Sequence, residues 1–433
     1  MPSPKTLLPL LLGGAAGLGG ILQGLHWRSS SNAAGIAGLE TQLRIATEEN
    51  EMLKRENASL RSLAQGGGEL AVPREAVDRA EKEFGLRFLS NPVVHRIASE
   101  ELRDRVAASL ESRFGPAGID DRQEAWRLIG WLGADDDLLA QLTVVRAVGA
   151  RGWFDDVTGE AWVTDRFDPE AIPDQAALVR LLARILLHQH FPPPPAYPGD
   201  DAARAREALH QGAASGSEAR FYALSARAIG FMPMKQNNEA EQIFNSLPGF
   251  IQGLTMFPVV EGKGFADTLH VQGNEGFHKV LRNPPQTTRA ILLPAEGPAA
   301  PPLLELPAAP EEPYLTESAG QLGLRLWLEA LGDAGAALEI SSCWKNDRYA
   351  LLPDGEASTA VIWDVELDSS AAADRFQTAA LAFISARAGL ETQAAAGTGV
   401  TTSDGRQLRV SRPSPPRVRF LNTATAELMR KFD

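Results

Sequence analysis

The stretch Leu178–Phe191 reads LVRLLARILLHQHF and decides how the fold is interpreted. Its apolar spacing predicts a helix that begins near Asp174, a suitable N-cap, and ends at His190 before a run of four prolines. Arg180 and Arg184 stand one turn apart and therefore share one face of this helix. An arginine side chain is permanently cationic and has no free lone pair. This helix face therefore repels a divalent cation.

The distribution of histidines excludes the HExxH motif. In that motif two imidazoles at i and i+4 bind zinc, and the glutamate takes a proton from zinc-bound water. The chain contains seven histidines, at His26, His95, His188, His190, His210, His270 and His278. None of them precedes a glutamate, so HExxH is not present anywhere in the sequence.

The same stretch nevertheless resembles the zinc-site helix of a family of predicted bacterial and archaeal zinc metallopeptidases, in which it reads roughly HELxHALQDQHF. Aligning the shared Gln189-His190-Phe191 end puts Arg180 and Arg184 at the positions of the two zinc-binding histidines. Leu181 then stands where the family has its general-base glutamate. The resemblance implies a gluzincin-like scaffold that has lost its site.

A second helix, predicted from Asp201 to Ile229, contains the other position at which the chain differs from the family's zinc site. The family has an EGDA-like sequence here, and the resemblance implies that its glutamate is the third zinc ligand. Gln211 replaces that glutamate, which keeps the shape and removes the charge. We therefore expect no metal or other cofactor. The degenerate-site residues, as they are called below, are Arg180, Leu181, Arg184 and Gln211.

Two interpretations of the arginines stay open. Arg180, Arg184 and Gln211 converge in the former metal site and bind an anionic group such as a carboxylate. Alternatively, the arginines pair with nearby acids such as Glu207 or Glu218.

From about Phe84 onward the order of features resembles the same family over nearly the whole remaining chain. The predicted fold class is α+β, with a mainly helical zincin-like domain that has short strands and a small α+β C-terminal module. Residues 148–163 predict two strands joined by a turn at 155–159. The other predicted segments are an opening strand at 86–88, a helical segment at 126–139, cleft segments at 257–265 and 283–294, a turn at 343–349, and a strand at 359–366 followed by a helix near Ser369.

The N-terminal region predicts a membrane anchor. Residues 7–25 are apolar apart from Gln23, and as a helix they would span about 28 Å, enough for a bilayer core. We expect an uncleaved single span with the N-terminus inside and the bulk of the chain periplasmic or extracellular. A cleaved signal peptide is the alternative.

Residues 30–65 predict a parallel coiled-coil stalk, because a heptad repeat runs without a slip from Ile36 to Ala64. Asn50 and Asn57 fall at a positions, where a buried asparagine favours a two-stranded register. We therefore expect a parallel homodimer. Its predicted seam contains Leu39, Leu43, Asn50, Leu53, Asn57 and Leu60.

Composition limits the classes of partner. The formal net charge of -13 is opposite to that of a nucleic-acid-binding surface. Cys343 is the single cysteine, so no intrachain disulfide can form. The predicted division of the chain is a tail at 1–6, the anchor at 7–25, the stalk at 30–65, a Gly-rich linker at 66–72, a metallopeptidase-like domain at 73–295, a Pro/Ala-rich connector at 296–313 and the C-terminal module at 314–433.

Together these features predict a non-catalytic, membrane-anchored, metallopeptidase-like protein that binds a peptide or protein partner in the cell envelope. One alternative is a hydrolase with a rebuilt metal site that uses His188 and His190 with Glu207 or His210. Residues two apart on a helix point in different directions, which counts against it. A purely structural envelope spacer is the other alternative.

Overall fold

The structure is a computed structural model that describes residues 68–114, 118–229, 238–297 and 299–432. These residues belong to one compact unit, 67–433. Within the described stretches no helix has both the length and the apolar character needed to cross a membrane. The predicted tail, membrane anchor and coiled-coil stalk lie outside the described residues.

The fold is α+β, and its first part is mainly helical. Besides its α-helices this part contains a π-helical turn, Pro258–Gly262, and a short 3-10 turn, Pro294–Glu296, that follows the last of them. The helices of this part are α1 (Arg74–Phe84), α2 (Ser99–Phe114), α3 (Gly118–Ile129), α4 (Leu138–Ala147), α5 (Ile172–His190), α6 (Asp200–Ile229), α7 (Asn238–Ser246), α8 (Gly249–Met256), α9 (Lys263–Val271), α10 (Asn274–Arg282) and α11 (Thr288–Leu292).

A small three-stranded sheet lies among these helices. Its strands are β1 (His95–Ile97), β2 (Gly152–Phe154) and β3 (Ala161–Thr164), in the order β1-β3-β2. Strands β2 and β3 pair antiparallel, with Trp153 opposite Trp162, which confirms the predicted hairpin. Strand β1 pairs parallel to β3.

The prediction of an opening strand at 86–88 was wrong. Helix α1 ends at Phe84, and the φ of 62° at its C-cap Gly85 turns the chain away from the helix axis. The backbone N–H of Phe88 then donates to the Glu81 carboxylate at 3.1 Å instead of to a neighbouring strand. The first strand begins only at His95.

The predicted helical segment at 126–139 is interrupted. Helix α3 ends at Ile129, and Gly130 follows with a φ of 99°, which favours glycine. A new helix begins at Leu138, where the side chain of Asp137 accepts a hydrogen bond from the N–H of Ala140 at 2.9 Å.

The last part of the chain forms an antiparallel six-stranded sheet in the order β4-β5-β6-β9-β8-β7. The predicted strand at 359–366 and the helix after Ser369 are confirmed, and Ser369 is the N-cap of that helix. The elements of this part are β4 (Leu315–Glu317), α12 (Gly320–Glu329), α13 (Ala334–Ser342), β5 (Trp344–Pro353), β6 (Thr359–Leu367), α14 (Ser370–Arg387), β7 (Val400–Thr401), β8 (Gln407–Ser414), β9 (Arg417–Thr423) and α15 (Ala426–Lys431).

The predicted turn at 343–349 is instead the start of β5, with a register shift between Trp344 and Asn346. Asp347 in this strand is 2% exposed and accepts bonds of 3.0 Å from the indole N–H groups of both Trp344 and Trp363. It also accepts from the backbone N–H groups of Ala319 and Gly320 at 2.9 Å. The carboxylate therefore holds the start of α12 against the sheet, because several buried donors depend on it.

One hydrophobic core crosses the predicted boundary at 296–313. Trp126 and Trp131 of the first part pack in the same buried cluster as Trp327 and Trp363 of the second. The ring centroids of Trp131 and Trp363 are 5.3 Å apart. The division into 73–295 and 314–433 therefore describes the order of the chain, while in space the two segments share a core.

Candidate functional site

The helix that carries the arginines is buried on most of its surface. Leu182, Leu186 and Leu187 of α5 have no exposed surface, because the helix packs between α1, α6 and the hairpin. It begins at Ile172, and Ala171 is its N-cap. The prediction that Asp174 caps it was wrong.

Asp174 points back to the preceding loop instead. Its carboxylate is 2% exposed and accepts from the N–H of Asp168 at 2.9 Å. It also forms an ion pair with Arg151. Asp174 thus fixes the loop before α5 and the start of β2 relative to each other.

All four degenerate-site residues line one cavity of about 750 Å³. Helix α5 supplies the first three of them, and α6, which packs beside it, supplies Gln211. The hairpin and the π-helical turn complete the wall with Trp153 and Pro258 among other residues. Tertiary packing therefore brings together the positions that the resemblance selected.

A close backbone contact fixes the position of Gln211. A Cβ on Gly212 would lie 2.2 Å from the carbonyl carbon of Gly262, and a Cβ on Gly262 would lie 2.3 Å from the carbonyl oxygen of Ala208. Only glycine allows α6 and the π-helical turn to approach this closely. The contact holds Lys263, which also lines the cavity, near Gln211.

Arg184 is held by two contacts but keeps one donor group unused. Its Nη2 donates to the carboxylate of Asp156, and its guanidinium lies over the ring of Phe154, 5.2 Å from the centroid. The side chain is only 7% exposed. Its buried Nη1 has no hydrogen-bond partner among the residues that the structure describes. A buried guanidinium N–H without an acceptor is costly, so this group favours an anionic ligand.

Arg180 is weakly neutralised. Its Nε lies 3.6 Å from Oε2 of Glu218, and its Nη2 lies 3.5 Å from the carbonyl oxygen of Gly152. Burial raises the pKa of Glu218, although Arg180 opposes the shift. A carboxyl group that is harder to ionise is a poor counter-charge. Arg180, whose side chain is 29% exposed, is therefore accessible to a ligand from the cavity.

Two further arginines share one carboxylate. Glu207 Oε2 lies 3.1 Å from Arg113 Nη2, and Glu207 Oε1 lies 3.5 Å from Arg146 Nη2. Burial raises the pKa of Glu207, and these two guanidiniums lower it. The net effect is a pKa below the usual value. Glu207 is therefore ionised at neutral pH, and one carboxylate serves two cations.

The centre of the cavity thus carries an excess of positive charge. Its four arginines face three carboxylates, one of which has a raised pKa. The other three lining cations have partners of their own. Arg151 pairs with Asp174, and Lys263 pairs with Asp267 at 2.7 Å. Arg204 pairs at 3.5 Å with Asp200, which also lines the cavity. The central arginines are Arg113, Arg146, Arg180 and Arg184, and the carboxylates are Asp156, Glu207 and Glu218.

The donors at this site do not fit the zinc ion that the resemblance would imply. Two guanidiniums, an isobutyl group and a carboxamide supply no imidazole and no carboxylate. Among residues 68–114, 118–229, 238–297 and 299–432, no three His, Cys, Asp or Glu side chains converge so that they could hold a metal ion.

The histidines of the rebuilt-site alternative have separate partners. His188 Nε2 lies 3.2 Å from the carbonyl oxygen of Asp156, whereas His190 Nε2 lies 2.7 Å from that of Arg87. His210 lies on α6, and its buried Nε2 has no partner among the described residues. His188 and His190 thus diverge, as their spacing predicts.

Sequence reasoning predicted only part of this site. It proposed Glu218 as a partner for an arginine, and the structure pairs Glu218 with Arg180. It did not find Arg146 or Asp156, and it linked Glu207 to the wrong arginines. The turn at 155–159, which follows β2 directly, was the one available signal that an acidic side chain would lie beside α5.

One predicted cleft segment lies elsewhere. None of residues 283–294 is among the described residues that line the cavity. Thr288 instead donates through both its N–H and its hydroxyl to the buried carboxylate of Asp201, at 2.9 and 2.6 Å. Arg289 donates to the carbonyl oxygen of Ser342 at 2.8 Å. This segment therefore connects α6 to the C-terminal part of the fold.

Comparison with known proteins gives one match. A family model described as "Domain of unknown function (DUF8575)" matches residues 312–432, which include the six-stranded sheet and the helices packed on it. No curated protein and no solved structure matches the chain. The family match covers less than a third of the chain and does not include the cavity.

Proposed function

We propose that this chain is a non-catalytic, membrane-anchored binding protein of the cell envelope with a metallopeptidase-like scaffold. Its large cavity would hold an anionic group of a peptide or protein partner, and its stalk would make it a parallel homodimer. The observation that carries the proposal is the cavity of about 750 Å³ in which Arg180, Arg184 and Gln211 converge. The zincin-like scaffold itself rests on the sequence resemblance.

The state of the cavity favours binding over a spacer role. Its volume is in the range of about 300–1,000 Å³ in which proteins bind small ligands. Its arginines outnumber the carboxylates that face them, and Arg184 keeps one buried N–H group unpaired among the described residues. A cavity filled by apolar side chains would have favoured the spacer.

A carboxylate is the group that this arrangement fits. A guanidinium presents paired N–H groups in a plane, which match the two oxygens of a carboxylate. Arg180 is the more accessible of the two arginines, and the neutral carboxamide of Gln211 can donate to the same group. A peptide C-terminus, or an acidic side chain, supplies this chemistry.

The test is binding of a fluorescein-labelled pool of pentapeptides to the full chain in detergent, measured by fluorescence polarisation. Pools with a free C-terminal carboxylate and with a C-terminal amide are compared. We expect the acid pool to bind and the amide pool to bind about tenfold more weakly, since a charge-assisted hydrogen bond contributes about 1.5–3 kcal/mol.

Two variants test whether the peptides bind in the large cavity. Arg180→Gln should weaken binding of the acid pool about tenfold, and Gln211→Glu should weaken it as well because it adds a negative charge. Arg103→Gln, on the exposed face of α2, is the matched control and should bind like the wild type. Equal binding of the two pools, no binding of either, or indifference to both cavity variants would contradict the proposal.

A further inference from the structure

A second, smaller cavity of about 310 Å³ lies beside the first. The two share part of their lining, including Arg113, Arg184 and Glu207. The ion pairs of these residues therefore form a partition between the cavities. His188, Arg206 and the other residues on the far side belong to the smaller cavity alone.

The smaller cavity contains a buried imidazole with an unused nitrogen. His210 is 6% exposed, and its Nε2 has no hydrogen-bond partner among the described residues. Burial lowers the pKa of His210 well below its usual value, and the neighbouring Arg206, Arg184 and His188 lower it further. The ring is therefore neutral and can donate one N–H.

The arginines of this cavity are not fully neutralised. Arg206 donates to the carbonyl oxygen of Phe191, but no described carboxylate is within ion-pair distance of it. Three arginines line the cavity and only two carboxylates do, so one positive charge is left over. The arginines are Arg113, Arg184 and Arg206, and the carboxylates are Asp156 and Glu207. A single negative charge would balance this set.

The remaining wall is mostly apolar, although Ser112, His188 and Tyr197 also line it. Phe191, the prolines at 193–195 and Pro198 line the cavity. Val157, which is 45% exposed, lines it where the cavity meets solvent. The volume is at the lower end of the range for ligand pockets, which suits a body the size of one ring. An apolar body with one anionic head matches both parts of the wall.

We propose that the smaller cavity is a second, separate binding site for a small monocarboxylic acid with an apolar body. The carboxylate would lie between Arg206 and the imidazole of His210, beside the shared guanidinium of Arg184. The body would pack against the proline wall. The site is distinct from the large cavity, because Arg180 and Gln211 do not line it.

The test is isothermal titration of the full chain in detergent with benzoate, cyclohexanecarboxylate and hexanoate. Benzamide, which has the shape of benzoate without its charge, is the matched control ligand. At least one of the acids should bind with one molecule per chain. If benzoate binds, benzamide should bind at least tenfold more weakly. If only an aliphatic acid binds, its own amide replaces benzamide as the control.

Variants locate the binding. Arg206→Gln should weaken binding of the acid at least tenfold. Val157→Trp, an exposed change that leaves the arginines in place, should block entry to the cavity and weaken binding to a similar extent. Arg180→Gln should leave it unchanged. The proposal would be overturned if none of the three acids bound, or if an acid and its amide bound with equal affinity. It would also be overturned if binding were lost in Arg180→Gln but kept in Arg206→Gln and Val157→Trp.

Discussion

Replacement of Gly212 by alanine tests the backbone contact that positions the large cavity. The added Cβ would meet the carbonyl carbon and oxygen of Gly262 in the π-helical turn, at 2.2 and 2.3 Å, and the backbone nitrogen of Lys263 at the start of α9, at 2.6 Å. Backbone atoms cannot rotate away, so α6 and the turn must separate. Overpacking of this kind typically costs about 1–3 kcal/mol and occasionally more. The gain in helix propensity from glycine to alanine offsets about 1 kcal/mol of it.

Because the added Cβ meets backbone atoms at 2.2–2.6 Å, we expect a cost at the upper end of this range, about 3 kcal/mol. After the offset, Gly212→Ala should lower the free energy of unfolding by about 2 kcal/mol. In a chain of this size a change of 1 kcal/mol shifts the Tm by only about 1–2 °C, so the expected decrease is about 3 °C. Differential scanning calorimetry of the full chain at fixed detergent concentration measures it. Binding of the acid peptide pool should weaken in the same variant, because Gln211 and Lys263 move apart.

Gly264→Ala is the matched control, because this exposed helical glycine lies two residues after Gly262 and its added Cβ meets nothing within 4 Å. It should raise stability by about 0.5–1 kcal/mol. If Gly212→Ala proved as stable as the wild type, or gained stability like Gly264→Ala, the account of the contact between α6 and the π-helical turn would be wrong.

Two further predictions concern metal binding and pH. After exposure to zinc and gel filtration, the wild-type chain should retain no stoichiometric zinc by elemental analysis. A quadruple variant that introduces the HExxH residues and the third ligand should retain about one zinc ion per chain. Stoichiometric zinc in the wild type would refute the conclusion that its side chains cannot form a zinc site. That variant is Arg180→His, Leu181→Glu, Arg184→His and Gln211→Glu. Burial raises the pKa of Asp201 to about 7, so between about pH 4 and pH 7 the folded chain keeps a proton that the unfolded chain has lost. The contribution of Asp201 to stability should therefore fall as pH rises through this window, by at most about 4 kcal/mol. The urea midpoint of the wild type should fall relative to that of Asp201→Asn over the same window, and a difference between the two chains that does not change with pH would contradict the shift.

Local sequence pattern predicted the elements whose causes are local. The hairpin between β2 and β3 followed from two short strand-like runs around a turn, and the strand at 359–366 and the start of a helix near Ser369 followed from the local pattern. The predictions at 86–88 and 343–349 failed for a different reason. A strand exists only where a partner strand is available, and partners are supplied by distant parts of the chain.

The same division holds for the candidate site. Helical periodicity alone put Arg180 and Arg184 on one face, and residue chemistry alone excluded an HExxH zinc centre there. The pairing of Arg184 with Asp156 depends on how the hairpin packs on α5, and no spacing in the sequence encodes that contact. Likewise, Arg146 comes from a helix that meets the site only through its packing.

The sequence by itself determined which chemistry the site lacks, because the identities of its side chains are sufficient to exclude an HExxH zinc centre. Tertiary structure decided that these side chains line a cavity, and that a second cavity lies behind their ion pairs. Whether charged side chains neutralise one another or leave an excess depends on distances of a few ångströms between different elements. Those distances are set by packing of the shared core.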